Sequence, residues 1–382
     1  MTTNKNHNSP NVPNLRFPEF EGEWKIVSLQ EIASINPKSE PLQNRFFYID
    51  LEAVEKGELR KIQEILQEEA PSRAQRVINN NDILFQCVRP YQKNNYIHKE
   101  PNTSMTQWVA STGYAQIRTT ESPNYIYHLL NTDGFNRKVM VRCTGSSYPA
   151  INSEDLSTIH FYLSTDKNEQ CKIARLLDLL DERIATQNKI IEDLKKLKSA
   201  ISKKLLCNDK WTTYKIQDIA EIGRGRVISS VEIDRQKHPL YPVYSSQTSN
   251  DGIMGYLDSY MFDGEYITWT TDGANAGTVF YRKGKFNCTN VCGTLKIQPK
   301  FDCYFVSLVL QQATQKYVSS NLANPKLMNN TMASIKIRMP NIETQKQLSK
   351  VFQTLDSCLL VHQRTCKMYL SEKQYLLCQM FI

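Results

Sequence analysis

Trp24-Lys-Ile-Val-Ser-Leu-Gln-Glu-Ile-Ala-Ser-Ile35 is written a second time, 187 residues later, as Trp211-Thr-Thr-Tyr-Lys-Ile-Gln-Asp-Ile-Ala-Glu-Ile222. Trp, Gln, Ile and Ala recur in place, Leu29 is answered by Ile216 and Glu31 by Asp218. Further on, Pro149, Ile151, Leu156 and Ile159 return as Pro325, Leu327, Met332 and Ile335. Gln170, Ile173, Leu176, Leu177, Leu180 and Asp181 return as Gln345, Leu348, Val351, Phe352, Leu355 and Asp356. Between these markers the stretches 36–145 and 223–321 share no useful similarity. A repeat of this kind predicts a duplicated fold. Similar edges imply a shared scaffold, and different middles imply two surfaces that read different things.

Each half closes in a helical pattern. Apolar residues at spacings of three and four run Ile173, Leu177, Leu180, Ile184, Gln187, Ile191, Leu194, Lys198, Ile201, Leu205 in the first half. The second half answers with Leu348, Phe352, Leu355, Leu359, His362, Cys366, Tyr369, Lys373, Leu376, Met380. This is a coiled-coil-type seam, and its polar interruptions coincide: Gln187 with His362, Lys198 with Lys373. Asp166 with Glu169 reads as a capping box, and Pro340-Asn341 as a stop and a cap. Neither proline nor glycine occurs in 167–207 or 341–382. The spans 166–207 and 341–382 are therefore expected as two long helices, each a rod on the order of 60 Å at about 1.5 Å per residue. Because the second variable region starts where the first helix ends, the pair is expected to be antiparallel, with a globular domain at each end and an approximate two-fold axis. The lysines crowding the first helix end (Lys195, Lys196, Lys198, Lys203, Lys204) fit favourable interaction with the helix dipole and solvent.

A chain of 382 residues exceeds one ordinary core. The net charge of +8 is compatible with nucleic acid without demonstrating it. The ten cysteines contain no CxxC pair, the closest being Cys288 and Cys292, so zinc-type spacing is absent and reduced cytosolic thiols are expected. The polar residues 1–12 predict disorder, and without an apolar run of about 20 residues no membrane span is expected. The expected location is the cytoplasm.

Two unlike domains held apart by paired helices make a ruler. On DNA such a molecule matches two different half-sites separated by an unread spacer, and a heptad added to both helices should lengthen that spacer. At this point the chain resembles a known family. Pro13-Asn-Leu-Arg-Phe-Pro-Glu-Phe-Glu-Gly-Glu-Trp24 with Leu29-Gln-Glu-Ile32 looks like the start of type I restriction–modification specificity subunits. So do Asp82-Ile-Leu-Phe-Gln-Cys-Val-Arg-Pro-Tyr91, Tyr241-Pro-Val-Tyr-Ser-Ser-Gln-Thr-Ser-Asn-Asp-Gly252, Asp272-Gly-Ala-Asn-Ala-Gly-Thr-Val-Phe-Tyr281 and Thr289-Asn-Val-Cys-Gly293. Runs of Val, Ile, Tyr and Thr alternating with turn signals in each variable region predict an α/β (α+β) molecule, and the resemblance implies that its target recognition domains, at 13–165 and 208–340, are separated by the two antiparallel helices. It also implies partners: double-stranded DNA, two methyltransferase (modification) subunits and restriction/translocase subunits. S-adenosylmethionine, ATP and Mg would then sit on those partners and no cofactor on this chain. Two departures stand out: Met328 where the first half has Asn152, and Thr344-Gln345 where it has Glu169-Gln170.

Reading bases needs Arg or Lys for guanine, Asn or Gln for adenine, and hydroxyls for positioning. In the first domain Arg89, Tyr91, Gln92, Lys93 and Asn94 form the richest cluster, and Arg142, Ser146 and Ser147 a second. In the second domain Ser246, Gln247, Thr271 and Asn275 lie in loop-like segments rich in donors, and Arg282, Lys283 and Lys285 are candidates for phosphate. Such clusters also make ordinary turns, and Arg282-Lys-Gly-Lys285 also reads as a hairpin turn. Against an enzyme, Gly223-Arg-Gly225 lacks the third glycine of a nucleotide fingerprint, and no GxxxxGK[ST], HExxH or HxH occurs. Asn324-Pro-Lys-Leu327 lacks the aromatic that follows Asn-Pro in adenine methylases. The competing readings are a coiled-coil adaptor that binds no DNA, and a stand-alone methyltransferase or nuclease.

Overall fold

The computed structural model describes residues 11–103, 106–206, 208–319 and 324–382. The expected disorder of 1–12 therefore falls mostly outside the described residues, as does Cys207 at the end of the first predicted helix span. Asn11 itself is tied down: its carbonyl accepts from the Trp24 N–H at 2.9 Å and its amide donates to Glu23 at 3.0 Å. The chain forms two units, Met1–Asn188 with Arg364–Ile382, and Lys189–Gln363. Among the described residues no helix is long and apolar enough to cross a membrane.

In the first unit, Lys25–Ser28 pairs antiparallel with His160–Leu163, so the two edges of the repeat unit close on each other. Between them lies a four-stranded sheet ordered Ala33–Ile35, Tyr114–Thr119, Ile83–Gln86, Tyr96–Ile97. A second sheet is ordered Gln63–Leu66, Arg45–Ile49, Trp108–Ser111, Ala74–Ile78. The main core gathers Trp24, Leu29, Tyr125, Ile126 and Phe135, and is closed by Ile173 and Leu177 of the first long helix and by Met380 and Phe381.

The second unit repeats the plan. Thr212–Lys215 pairs antiparallel with Lys336–Met339, and the main sheet runs Ala220–Arg224, Cys292–Ile297, Glu265–Thr270, Val279–Lys283. The strand order matches that of the first unit although the sequences of the two middles do not. Backbone ladders ask only for alternation of faces, which many sequences satisfy. Trp269, fully buried, is opposed across the sheet by Gly293, where an added Cβ would stand 2.2 Å from the indole ring. Only glycine fits that crossing.

The long helices span Lys167–Leu205 and Ile342–Gln379, and each contributes residues to both units. The predicted seam is their least exposed stripe, but its beginnings do different work. Ile173, Leu177 and Phe352 are core residues of the globular parts, packed by Leu348 and Leu355 in the second case. The first turns of each helix bury against its own sheet domain. Leu180 and Ile184 are buried and Gln187, Leu359 and His362 half-buried along the same stripe. Pairing is antiparallel in the first unit, where Asp181 binds Lys373 and, seven residues on, Asn188 meets Cys366, seven residues back. In the second unit the equivalent pair, Asp356 with Lys198, recurs with the helices exchanged.

Two more paired features carry the repeat into side-chain detail. The Gln170 side chain accepts from the Ser122 N–H at 3.1 Å and donates to the Ser164 carbonyl at 2.8 Å. Gln345 does the same with the Asp302 N–H at 3.0 Å and the Pro340 carbonyl at 2.8 Å. Asn341 caps its helix through the Thr344 N–H at 2.9 Å. Asp166 caps through the Asn168 N–H at 2.7 Å, yet the expected box is not closed by Glu169. Glu169, wholly buried, turns instead to Arg16 (2.6 and 2.9 Å), the Trp24 indole N–H (3.1 Å) and the Ser164 hydroxyl (2.5 Å).

Candidate nucleic-acid interface

In the first unit the wholly buried strand Ile83–Gln86 delivers the chain to the loop that holds the first cluster. Buried Gln86 organises it: its amide donates to Gln92 at 3.1 Å and its carbonyl oxygen accepts from the Asn94 N–H at 3.1 Å. Asn94 accepts in turn from the Lys56 N–H at 2.9 Å. Arg89 and Lys93 flank a single 3-10 turn, Pro90–Gln92, and both hold positive φ (+54° and +53°). Lys93 pairs with Asp133 at 2.6 Å and donates to the Asn131 carbonyl at 2.9 Å, so its ammonium is already engaged within the domain. Tyr91 is exposed.

The second cluster folds onto the first. Thr144 and Ala150 bridge the ends of a loop that presents exposed Ser146, Ser147 and Tyr148. The Arg89 guanidinium lies 4.3 Å from the centre of the Tyr148 ring, a cation–π distance. Arg89, Gln92, Asn94 and Tyr148 line a cleft of about 530 Å³, together with Glu55 and Arg60. Arg142 is not part of it. Its guanidinium donates to the Asp155 carbonyl at 2.7 Å and the Thr158 hydroxyl at 2.8 Å, bracing the short helix Ser153–Ser157. It serves the scaffold.

In the second unit the two polar loops also converge: the Asn275 amide donates to the Ser246 carbonyl at 3.2 Å. Gln247 is turned inward onto the Ile253 carbonyl. Two candidates are withdrawn. Thr271 is fully buried and accepts from Arg224 at 2.9 Å. Arg282 is 4 % exposed, bonded to the Asp251 carboxylate at 2.7 Å and carbonyl at 2.8 Å, and sandwiched between Tyr244 (3.6 Å) and Phe280 (4.4 Å). A guanidinium so enclosed has no face left for phosphate. The stretch is also no hairpin turn: Arg282 and Lys283 end a strand, and Gly284 pairs with Gly264. Lys283 and Lys285 are exposed, the former 3.1 Å from Glu265 and the latter over the Tyr260 ring at 4.5 Å.

Two cations escaped the sequence reading. Arg224 and Lys326 flank Asp272 at 3.8 and 3.4 Å. Arg224 stood between two glycines weighed only as a nucleotide fingerprint. Lys326 stood inside a rejected methylase motif, although its neighbour Pro325 was a repeat marker that aligns it with Ala150.

The family model described as "Type I restriction modification DNA specificity domain" matches residues 21–196 and again 208–367. A candidate type I specificity subunit of Mycoplasma pneumoniae is 40% identical over 185 residues, 48% of this chain and 77% of that protein. The crystal structure of a type I restriction–modification S subunit from M. genitalium superposes with a TM-score of 0.71 at 16% identity, covering 97% of this chain and 99% of that one. A chain from a structural study of type I restriction–modification complex assembly and conformational transition gives a TM-score of 0.54 at 18% identity, covering 93% and 96%.

Proposed function

Because the chain belongs to the type I restriction–modification DNA specificity family, we propose that each of its units reads one half of a bipartite, asymmetric DNA target. The chain is a specificity subunit, a DNA-recognition component and not the catalyst, and its partners are DNA and other subunits of the restriction–modification system. In the proposed assembly two modification subunits dock on it and restriction subunits join them. S-adenosylmethionine, ATP and Mg belong to those partners and none to this chain.

The observation that carries the bipartite reading is the repeated sheet order under different loops. A scaffold built twice, with the polar clusters in each copy on connections between strands, suits two recognitions of unlike half-sites. The test is a map of methylated motifs in host DNA by single-molecule sequencing, with and without the gene. A two-part adenine motif that disappears on deletion is expected. An unchanged map, with the chain and its modification subunit both present, would reject the reading in favour of an adaptor.

A further inference from the structure

Beyond its main-sheet strand, each unit makes the same backbone junction. In the first, the Ile151 N–H donates to the Cys87 carbonyl at 3.0 Å, the Arg89 N–H to the Pro149 carbonyl at 2.8 Å, and the Thr144 N–H to the Ala150 carbonyl at 2.9 Å. In the second, the Leu327 N–H donates to the Thr271 carbonyl at 2.9 Å, the Gly273 N–H to the Pro325 carbonyl at 3.0 Å, and the Ser319 N–H to the Lys326 carbonyl at 3.0 Å. Isolated antiparallel bridges Val88–Ala150 and Asp272–Lys326 complete the match. Position for position, Val88 corresponds to Asp272, Arg89 to Gly273 and Ala150 to Lys326.

The backbone is constant and the side chains are not. Gly273 has φ +93° and Arg89 φ +54°. That region is open to glycine and strained for an L side chain, so the first unit holds an arginine where the fold asks for glycine. Strain of this kind persists where the side chain is used. The guanidinium lies 4.3 Å from the centre of the exposed Tyr148 ring, and among the described residues no carboxylate stands within ion-pair distance of it. At the same junction the second unit places Asp272 between Lys326 and Arg224.

We propose that this junction is where each unit selects its base. Arg89 is then the specificity-determining residue of the first unit, donating both prongs of its guanidinium to O6 and N7 of a guanine in the major groove. In the second unit the place of Arg89 falls to Gly273, and the base-selecting cation of the junction is Lys326, which stands across the bridge at the position of Ala150 and pairs with Asp272. The inference rests on the chain being a DNA specificity subunit.

The test uses the full chain with its partner subunits in the host, mapping methylated motifs for the wild type, a deletion, Arg89→Gly, Arg89→Lys and Lys326→Ala. Arg89→Gly relieves the backbone, so its melting temperature should equal or exceed that of the wild type. Its motif should nonetheless lose one required G·C pair in one half, with discrimination there falling roughly ten- to hundred-fold, while the other half is kept. Lys326→Ala should disturb only the other half. Arg89→Lys keeps the charge without the fork, so it should fail to restore the lost base. An unchanged Arg89→Gly motif overturns the proposal. So does an even loss of methylation with the motif intact, which marks a phosphate contact, or full rescue by lysine, which shows that the charge suffices without the fork. A wild-type map with no gene-dependent motif overturns the specificity reading itself, and is told apart because it appears before any substitution is made.

Discussion

Glu169 is wholly buried and accepts four hydrogen bonds, from Arg16, Trp24 and Ser164. Removing a buried carboxylate strands its cationic partner, so Glu169→Ala should cost on the order of 3 kcal/mol in chemical denaturation. A cost under about 0.5 kcal/mol would show that the N-terminal segment holds on by other means. Among the described residues its repeat counterpart, Thr344, makes no such network: threonine offers no carboxylate, and Lys203 stands where Arg16 would, eight residues before the tryptophan. Met328 is the complementary case. It sits at a helix N-cap with extended φ and ψ (−80°, 163°) and no side-chain cap, where Asn152 in the first half accepts from the Asp155 N–H at 2.7 Å. Met328→Asn should therefore stabilise the chain by about 1 kcal/mol, read as a raised denaturation midpoint. The matching glutamines 170 and 345 were legible in the sequence because both copies need the same two backbone groups satisfied. Arg282 was not legible. Nothing in the order of residues tells that Asp251 and Tyr244 fold over it, so an arginine near glycines looked like a free cation. Arg282→Ala should lower stability and leave the salt dependence of DNA binding unchanged.

At the scale of elements, the long helices were the clearest part of the sequence, since a period sustained over ten turns leaves little choice. What the period could not show is the division of labour along the stripe, because a leucine facing a sheet and one facing a helix look alike. The exchanged pairs Asp181–Lys373 and Asp356–Lys198 are partly exposed. A double-mutant cycle on either should give a coupling of about 0.5–1 kcal/mol that fades with salt. Asp178, on the first helix, meets the buried helix Pro123–Leu130 through His128 at 2.8 Å and Asn124 at 2.6 Å. Burial pushes its carboxyl up, but the hydrogen bonds from His128 and Asn124, with the charges of His128 and Lys99, outweigh that and hold it below its usual range. A lowered folded pKa means stability present above the ordinary carboxylate pKa of about 4 and lost as pH falls through the folded value. Asp178→Asn should flatten that acid limb of a stability–pH curve; an identical limb would exclude this contact as its source.

For the molecule as a whole, the duplication is legible at its edges, while the shared sheet order inside the dissimilar middles leaves no trace in the order of residues. Each main core draws only on its own unit. Exchanging residues 36–145 for the middle of another specificity chain should consequently change one half of the methylated motif and spare the other. Both halves changing together would mean that the units do not read independently. Each long helix passes from one unit into the other, so a heptad added to both at the unit boundary should alter only the unread spacer in the same map. One packing detail reaches into the biogenesis of the chain. Met380 and Phe381 complete the core around Trp24 and Tyr125, with the Phe381 ring 6.3 Å from Trp24 and 5.2 Å from Tyr125. During translation the earlier of the two units thus waits, after Leu177 is made, for about two hundred more codons (380 − 177 = 203) before its centre can close, whereas among the described residues the core around Trp269 draws on nothing beyond Leu355. The half made first is the half finished last. In the interval its open hydrophobic face is a natural target for chaperones, and for pairing with the wrong helix when two alleles of such a gene are expressed together.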